Sequence, residues 1–133
     1  MATPYQDRTI TAPAVYPDNQ PFWDAASEGR FLVKHCTACN QPHWYPRPLC
    51  PFCGSDKTEF RDSKGTGIIY TLSVTRRAGP TPYAIAYVTL DEGVTMMTNI
   101  VDCDLDSLRI GDKVRVVFKP SNDGPPVPMF TPV

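Results

Sequence analysis

The chain has 133 residues, a hydrophobic share of 41%, 15 prolines and a formal net charge of −1 at pH 7. Its length suits one domain, or a small metal-binding unit joined to a second compact unit, and the many prolines argue against long helices. A near-neutral chain provides no overall attraction for nucleic acid or an anionic membrane, so any basic site must be local.

The N-terminal 30 residues predict an extended arm followed by a short helix. Residues 1–18 contain prolines but no apolar periodicity, a pattern typical of arms that lie on a partner. We expect a helix of two or three turns from an N-cap at Asn19 or Asp18, with Pro21 in its first turn, to Gly29. The opening residues lack the basic and apolar segments of a signal peptide, and no apolar run approaches the length of a membrane span. A cytoplasmic protein is therefore expected.

Four aromatic residues are candidates for contact with a partner protein: Phe22, Trp23, Trp44 and Tyr45. Phe22 and Trp23 are adjacent in the predicted helix and point about a hundred degrees apart, so a short helix is not expected to bury both against a small ribbon. The alternative for all four side chains is packing within the chain itself.

Two cysteine pairs give the most specific chemical signal. Cys36 and Cys39 form one Cys-x-x-Cys turn, Cys50 and Cys53 form another, and ten residues separate the pairs. Two thiolates in one tight turn can face a single ion, and two such turns supply the corners of a tetrahedron. The spacing therefore predicts a zinc ribbon whose Zn²⁺ is structural, because four cysteines close the coordination shell.

Other readings of the cysteines stay open at this point. Two disulfides in a secreted protein fit poorly with the missing signal peptide, whereas an iron site of rubredoxin type would use similar spacing. His35 and His43 flank the first pair and could in principle replace a thiolate. With four thiolates present, we expect both histidines to be loop residues near the metal.

From Gly67 onward the sequence changes to the alternation of β-strands. Apolar residues recur at every second position from Ile68 to Val74, which is typical of a half-buried strand. Four further strands are expected over residues 83–90, 94–101, 114–119 and 127–133. Asp91-Glu92-Gly93 marks a hairpin turn. Five short strands indicate a small Greek-key barrel of the OB type.

The predicted fold is thus mainly β, in three parts. Residues 1–30 form the arm and helix, residues 31–62 a rubredoxin-like four-cysteine zinc ribbon, and residues 63–133 a five-stranded OB-fold barrel.

The order of motifs along the chain resembles a known family. A helix, a ribbon and a barrel follow one another, with the motifs Pro21-Phe22-Trp23, Tyr45-Pro46-Arg47-Pro48, Gly65-Thr66-Gly67, Asp91-Glu92-Gly93, Thr98-Asn99-Ile100-Val101 and Ile110-Gly111-Asp112-Lys113-Val114. Over about residues 20–130, this order resembles the zinc-ribbon/OB-fold acyl-CoA-associated proteins, the domain of unknown function 35 family.

The resemblance implies a non-catalytic accessory subunit that binds a thiolase-superfamily enzyme acting on acyl-CoA thioesters by thiolysis, acyl transfer or retro-aldol cleavage. It implies a heterotetramer or larger assembly, in which this chain braces the enzyme and shapes its acyl-CoA site. CoA at the interface would need cations for its phosphates. The local candidates are Arg47, Arg76, Arg77 and Lys119, for each of which a solvated surface cation is the alternative.

The remaining cysteine fits a non-catalytic role. Cys103 lies among Asp102, Asp104 and Asp106, and neighbouring carboxylates disfavour a thiolate. Both histidines belong to the ribbon, so the sequence suggests no Cys-His pair. We interpret Cys103 as a structural thiol.

A single-stranded nucleic-acid-binding module is the alternative function, because ribbons and OB barrels often serve that end. Tyr70, Tyr83 and Tyr87 could stack on bases. The chain lacks the positive charge such proteins carry, which makes nucleic acid the less favoured partner.

Overall fold

The computed structural model describes residues 2–133 and is mainly β, as the sequence predicts; Met1, the first residue of the predicted arm, lies outside the described residues. In chain order the elements are α1 (Gln20–Ser27), β1 (Leu32–Cys36), β2 (Gln41–His43), β3 (Thr58–Asp62), β4 (Thr66–Thr75), β5 (Tyr83–Leu90), β6 (Thr95–Ile100), a 3₁₀ turn (Leu105–Ser107), β7 (Lys113–Ser121) and β8 (Gly124–Pro132).

The ribbon is a three-stranded antiparallel sheet with β1 in the centre. On one side Lys34 pairs with His43 of β2, and on the other Cys36 pairs with Thr58 of β3. The central strand ends at Cys36, so the sheet delivers the first cysteine directly into its turn.

The remaining strands close into a barrel in the order β4-β5-β6-β8-β7, which confirms the predicted five-stranded OB fold. Strand β8 contains several prolines, and it pairs with β7 along its length but with β6 at a single parallel position, Ile100 with Phe130. Proline is tolerated there because a missing N–H costs little where few ladder bonds form. At Gly67 a Cβ atom would lie 2.6 Å from the Thr89 carbonyl oxygen, so the close approach of β4 and β5 requires glycine.

Helix α1 packs between the ribbon and the barrel, against β1 and β8. Phe22 and Trp23 are 1% and 5% exposed, and their rings meet edge to face with centroids 4.8 Å apart. Both rings therefore pack within the chain, the alternative left open from the sequence, because the helix is covered by the barrel as well as by the ribbon. Enclosed in this way, Phe22 and Trp23 leave little surface for the partner contact that the sequence suggested.

The N-terminal arm lies on the chain's own barrel. The Tyr5 N–H donates to the Cys103 carbonyl at 2.9 Å, and the Leu105 N–H donates to the Thr3 carbonyl at 2.8 Å. Farther along, the Asn122 N–H donates to the Ile10 carbonyl at 2.9 Å. These backbone bonds hold the arm across the ends of β6, β7 and β8, whereas the sequence pattern suggested an arm lying on a partner.

Candidate functional site

The two Cys-x-x-Cys turns bring four thiols together at the tip of the ribbon. The Sγ atoms of Cys36 and Cys53 lie 3.6 Å apart, as do those of Cys39 and Cys50, and all four lie within 4.8 Å of one another. Left-handed residues shape both turns: Asn40 follows the first pair at φ 61° and Gly54 follows the second at φ 77°. The predicted convergence of the four cysteines is therefore present.

These donors fit a tetrahedral metal ion. A zinc ion with Zn–S bonds of about 2.3 Å requires sulfur atoms about 3.8 Å apart, close to the separations found here, and a disulfide would require about 2.05 Å. All four cysteines are free thiols in the structure. Backbone N–H groups of Cys39 and Phe52 point at the sulfur atoms of Cys36 and Cys50, as expected for ligands that carry negative charge. The arrangement supports a structural zinc held by thiolates, with no coordination position left for a substrate.

The clustered thiols also differ in acidity. Burial and the hydrogen bond with Cys50 raise the pKa of Cys39 to about 12. For Cys50, burial raises the pKa, but backbone N–H groups of Cys53 and Phe52 and the hydrogen bond with Cys39 lower it to about 7. Because a zinc ion replaces the protons of all four thiols, metal affinity must fall on acidification.

The two histidines lie in strands, not in loops as expected, and neither belongs to the group of four metal-facing side chains. His35 is in β1, and its Nε2 lies 2.8 Å from the Asn40 Oδ1, which braces the first turn. His43 is in β2 and 1% exposed, and neither of its ring nitrogens has a hydrogen-bond partner within the described part of the chain. Burial lowers the pKa of His43, so its ring is neutral at pH 7.

Cys103 lacks the features of a nucleophile. Burial raises the pKa of its thiol, and the carboxylates of Asp104 and Asp102 raise it further. Its carbonyl accepts the Tyr5 N–H, so the residue belongs to the junction of arm and barrel.

The four cations named for CoA binding have different surroundings. Arg76 donates to Asp106 at 2.8 Å, and Lys119 donates to Asp102 at 2.6 Å while lying over the Tyr5 ring. Arg47 and Arg77 have no ion-pair partner among residues 2–133. Of the four, Arg47 alone lines both of the cavities that border the loop of residues 45–49. Among these four cations, Arg47 is therefore the one that combines the absence of an ion pair within residues 2–133 with a position beside a cavity.

Trp44 and Tyr45, which are joined by a cis peptide bond, are half-buried in the aromatic cluster around α1. The Trp44 ring lies 5.2 Å from Phe22. The Tyr45 hydroxyl accepts hydrogen bonds from Asn19 Nδ2 at 3.0 Å and from Trp23 Nε1 at 3.2 Å. The sequence indicated Asn19 or Asp18 as the helix N-cap. Asn19 occupies that position, but its side chain makes no capping bond and is used for this contact instead.

The outer surface of the barrel carries an exposed apolar patch, of which the sequence indicated only Tyr70 and Tyr87, as candidates for stacking on bases. It consists of Ile68 and Tyr70 on β4, Tyr87 on β5 and Met97 on β6, and we refer to it as the outer barrel patch. Tyr70, Tyr87 and Met97 are 64%, 46% and 59% exposed, and Tyr87 pairs directly with Met97 across the sheet. Exposed apolar groups from three adjacent strands are typical of an interaction surface.

No helix within residues 2–133 is long and apolar enough to cross a membrane.

Comparison with known proteins finds a matching domain family for the ribbon and another for most of the barrel. Residues 23–59 match the ChsH2 rubredoxin-like zinc ribbon domain, and residues 60–119 match the ChsH2 C-terminal OB-fold domain. A probable enoyl-CoA hydratase alpha subunit from Thermomonospora curvata is 32% identical over 124 residues, and this chain spans only 39% of that protein's length. A DUF35 domain-containing scaffold protein from Methanothermobacter thermautotrophicus is 38% identical over 92 residues, which cover 63% of this chain and 68% of that protein.

Solved structures show the same architecture. A chain of the structure described as Ltp2-ChsH2(DUF35) aldolase superposes with a TM-score of 0.76 and 32% identity, covering 90% of this chain and 98% of that one. A DUF35 protein of unknown function from Sulfolobus solfataricus gives a TM-score of 0.64 at 13% identity, over 88% of this chain and 86% of that one, and so shows the fold alone. With the zinc ribbon, the OB barrel and these relatives in agreement, the chain belongs to the DUF35 family.

Proposed function

We propose that this chain is a non-catalytic accessory subunit of a thiolase-superfamily enzyme that acts on acyl-CoA thioesters by thiolysis, acyl transfer or retro-aldol cleavage. The observation that carries the proposal is the likeness to a chain of the Ltp2-ChsH2(DUF35) aldolase over nearly its whole length. The name of the Thermomonospora curvata relative, an enoyl-CoA hydratase subunit, supports the same class of substrate.

The chemistry of the described side chains supports a role without catalysis. Covalent catalysis on a thioester needs a reactive thiol beside a base. The thiol of Cys103 has a raised pKa, and the other four cysteines face one another at the tip of the ribbon. We propose that Cys36, Cys39, Cys50 and Cys53 hold the zinc ion that folds the ribbon, while the partner enzyme supplies nucleophile and base.

We propose that the outer barrel patch contacts the partner enzyme. It offers large apolar side chains on the rigid surface of a closed sheet, where little entropy is lost on binding. Of the aromatic residues named from the sequence, the half-buried Trp44 and Tyr45 stay candidates at the edge of such a contact, whereas Phe22 and Trp23 are enclosed by the chain itself. The assembly would be a heterotetramer or larger, formed in the cytoplasm.

The proposal extends to contact between this chain and CoA. Arg47 is the preferred residue because it is exposed and unpaired among the described residues, and Arg77 shares these two features. Arg76 and Lys119 would have to give up ion pairs with Asp106 and Asp102 to bind a phosphate. We also propose that the chain divides into three parts, namely the arm and helix (residues 1–30), the ribbon (residues 31–62) and the barrel (residues 63–133).

The test is affinity capture of the tagged chain from extract of its native cells at moderate salt, with mass spectrometry of the co-eluting proteins. A thiolase-superfamily protein in stoichiometric amount supports the proposal. Recovery of the chain alone, or with proteins that handle nucleic acid, overturns it.

Single-stranded nucleic acid is the second candidate partner, favoured by the exposed rings of Tyr70 and Tyr87 on the barrel. Bases stack on such rings in OB folds, but a basic groove normally follows the backbone. Here the net charge is −1, and Arg76 and Lys119 are already paired with carboxylates. Salt-sensitive retention on single-stranded DNA, lost in Tyr70→Ser, would favour this candidate.

A further inference from the structure

The hydrogen-bond directions around Tyr45 leave its hydroxyl proton without an acceptor. The Tyr16 N–H donates to Asn19 Oδ1 at 2.7 Å, which fixes the amide orientation and makes Asn19 Nδ2 the donor toward Tyr45 Oη. The indole Nε1 of Trp23 can only donate, and it also points at Tyr45 Oη. Both contacts therefore use the oxygen as acceptor, and the Tyr45 O–H has no acceptor among residues 2–133.

A cavity of about 550 Å³ is lined by both Tyr45 and Asn19, the residue whose amide donates to the Tyr45 hydroxyl. It lies between the end of the N-terminal arm, residues 13–19, and the ribbon loop, residues 45–49, and Tyr45 forms part of its wall. The volume is in the range of small-molecule sites. Most of its lining is apolar, with prolines from both segments and the exposed side chain of Leu49. A partly apolar ligand of modest size would fit.

Two charged side chains line the same cavity. Arg47 presents an unpaired guanidinium with five donors, and none of its nitrogen atoms lies within ion-pair distance of a carboxylate in the described chain. Asp18 is the one carboxylate in the lining and is exposed. A ligand that met Arg47 and the Tyr45 O–H would therefore be an acceptor, and its negative charge would be drawn to Arg47 and repelled by Asp18.

We propose that this cavity binds the oxyanion, carboxylate or phosphate, of a small molecule whose apolar portion lies against the prolines and Leu49. Arg47 supplies the charge and the Tyr45 hydroxyl donates the second hydrogen bond. Asn19 and Trp23 are positioning residues, because they hold the Tyr45 oxygen from the other side. All residues of this site belong to the chain itself, so binding at the cavity can be tested, and refuted, without the partner enzyme.

Binding is measured on the isolated, zinc-loaded full chain by NMR titration, with the Trp23 indole N–H as reporter of the Tyr45 contact. Three probes share one six-carbon chain: hexanoate, hexyl phosphate and uncharged hexanol. We expect saturable millimolar binding of at least one anion and a shift of the indole signal. The anion that binds more tightly shows whether the cavity prefers a carboxylate or a phosphate.

Substitutions of the two charged residues, Arg47 and Asp18, should change the affinity for anions in opposite directions. Arg47→Gln should weaken anion binding about tenfold, because a charge-assisted bond is lost. Asp18→Asn should strengthen it about two- to threefold, since a repelling charge is removed. Arg109→Gln is the control, because Arg109 is also exposed and forms no ion pair among residues 2–133 but lines no part of this cavity, and it should leave binding unchanged.

Tyr45→Phe should weaken binding severalfold, but it also leaves two donors without an acceptor, so Arg47→Gln and Asp18→Asn decide the outcome if that variant folds poorly. The proposal is overturned if neither anion binds in the millimolar range, if hexanol binds as tightly as the anions, or if Arg109→Gln weakens binding as much as Arg47→Gln.

Discussion

The ring of Phe31, which leads into β1 of the ribbon, lies 6.1 Å from the ring of Phe130 in β8 of the barrel, in an edge-to-face arrangement. Both side chains are buried, at 3% and 0% exposure. Together with Phe22 and Trp44, they join the helix, the ribbon and the barrel into one aromatic cluster. The zinc ribbon is thus packed on the barrel rather than tethered to it.

Phe31→Ala should lower the free energy of unfolding by about 3–5 kcal/mol, because it opens a cavity at the junction of ribbon and barrel. Urea unfolding of the zinc-loaded protein measures this. Phe52→Ala, which removes a largely exposed ring in the second turn, is the matched control and should change stability by well under about 1 kcal/mol. Equal effects of the two substitutions would show that the cluster does not couple the units.

Cys50→Ser should abolish zinc binding and yield insoluble protein, since zinc supplies roughly 10–16 kcal/mol of apparent folding energy to small ribbons. Metal analysis of the soluble fraction should give one zinc equivalent for the unmodified chain. Cys103→Ser keeps that equivalent, because Cys103 is outside the group of four thiols. A soluble Cys50→Ser protein with full metal content would rule out the ligand assignment. Red protein that bleaches on reduction would identify iron in place of zinc.

Cys103 should react slowly with iodoacetamide in the zinc-loaded chain. Its pKa is raised by burial and by Asp104 and Asp102, so the thiolate fraction at about pH 8 is below that of an unperturbed cysteine. The rate should rise with pH and reach its half-maximum above the usual thiol pKa. Cys103→Ser provides the background rate. A half-maximum below about pH 8 would make Cys103 an activated thiol and would reopen the question of catalysis.

The outer barrel patch should determine partner binding. The double change Tyr70→Ser and Met97→Ser should weaken capture of the partner about tenfold or more, because large apolar side chains dominate interface energies. Ile110→Ser is the control, since Ile110 is equally exposed but lies outside the patch. Loss of capture in the control alone would place the interface elsewhere.

The metal centre could be predicted because each pair of its ligands lies within one short turn of the sequence. Spacing within each Cys-x-x-Cys turn decides where the thiols of Cys36 and Cys39 point, and Gly54 supplies the positive φ needed after the second turn. The barrel was predictable for a related reason, since the alternation along β4 and the turn at Gly93 each follow from short segments.

Long-range packing explains what the sequence did not reveal. Trp23 is buried because the barrel covers a helix face that a ribbon alone would leave open, and nothing near Trp23 in the sequence indicates this. Ile68 and Tyr70 look like core residues by alternation, but Ile69 is the residue that points inward, and a register shift between Ile69 and Thr71 changes the phase of the strand. The contact of Asn19 with Tyr45 joins residues that are 26 positions apart.

The most direct measurement of the central claim is the rate of acyl-CoA turnover by the captured thiolase-superfamily enzyme with and without this chain. We expect no turnover by the chain alone. We also expect the enzyme to lose activity when it is separated from the chain and to regain it when the chain is added back. Full activity of the separated enzyme, unchanged by the chain, would contradict the role of an accessory subunit.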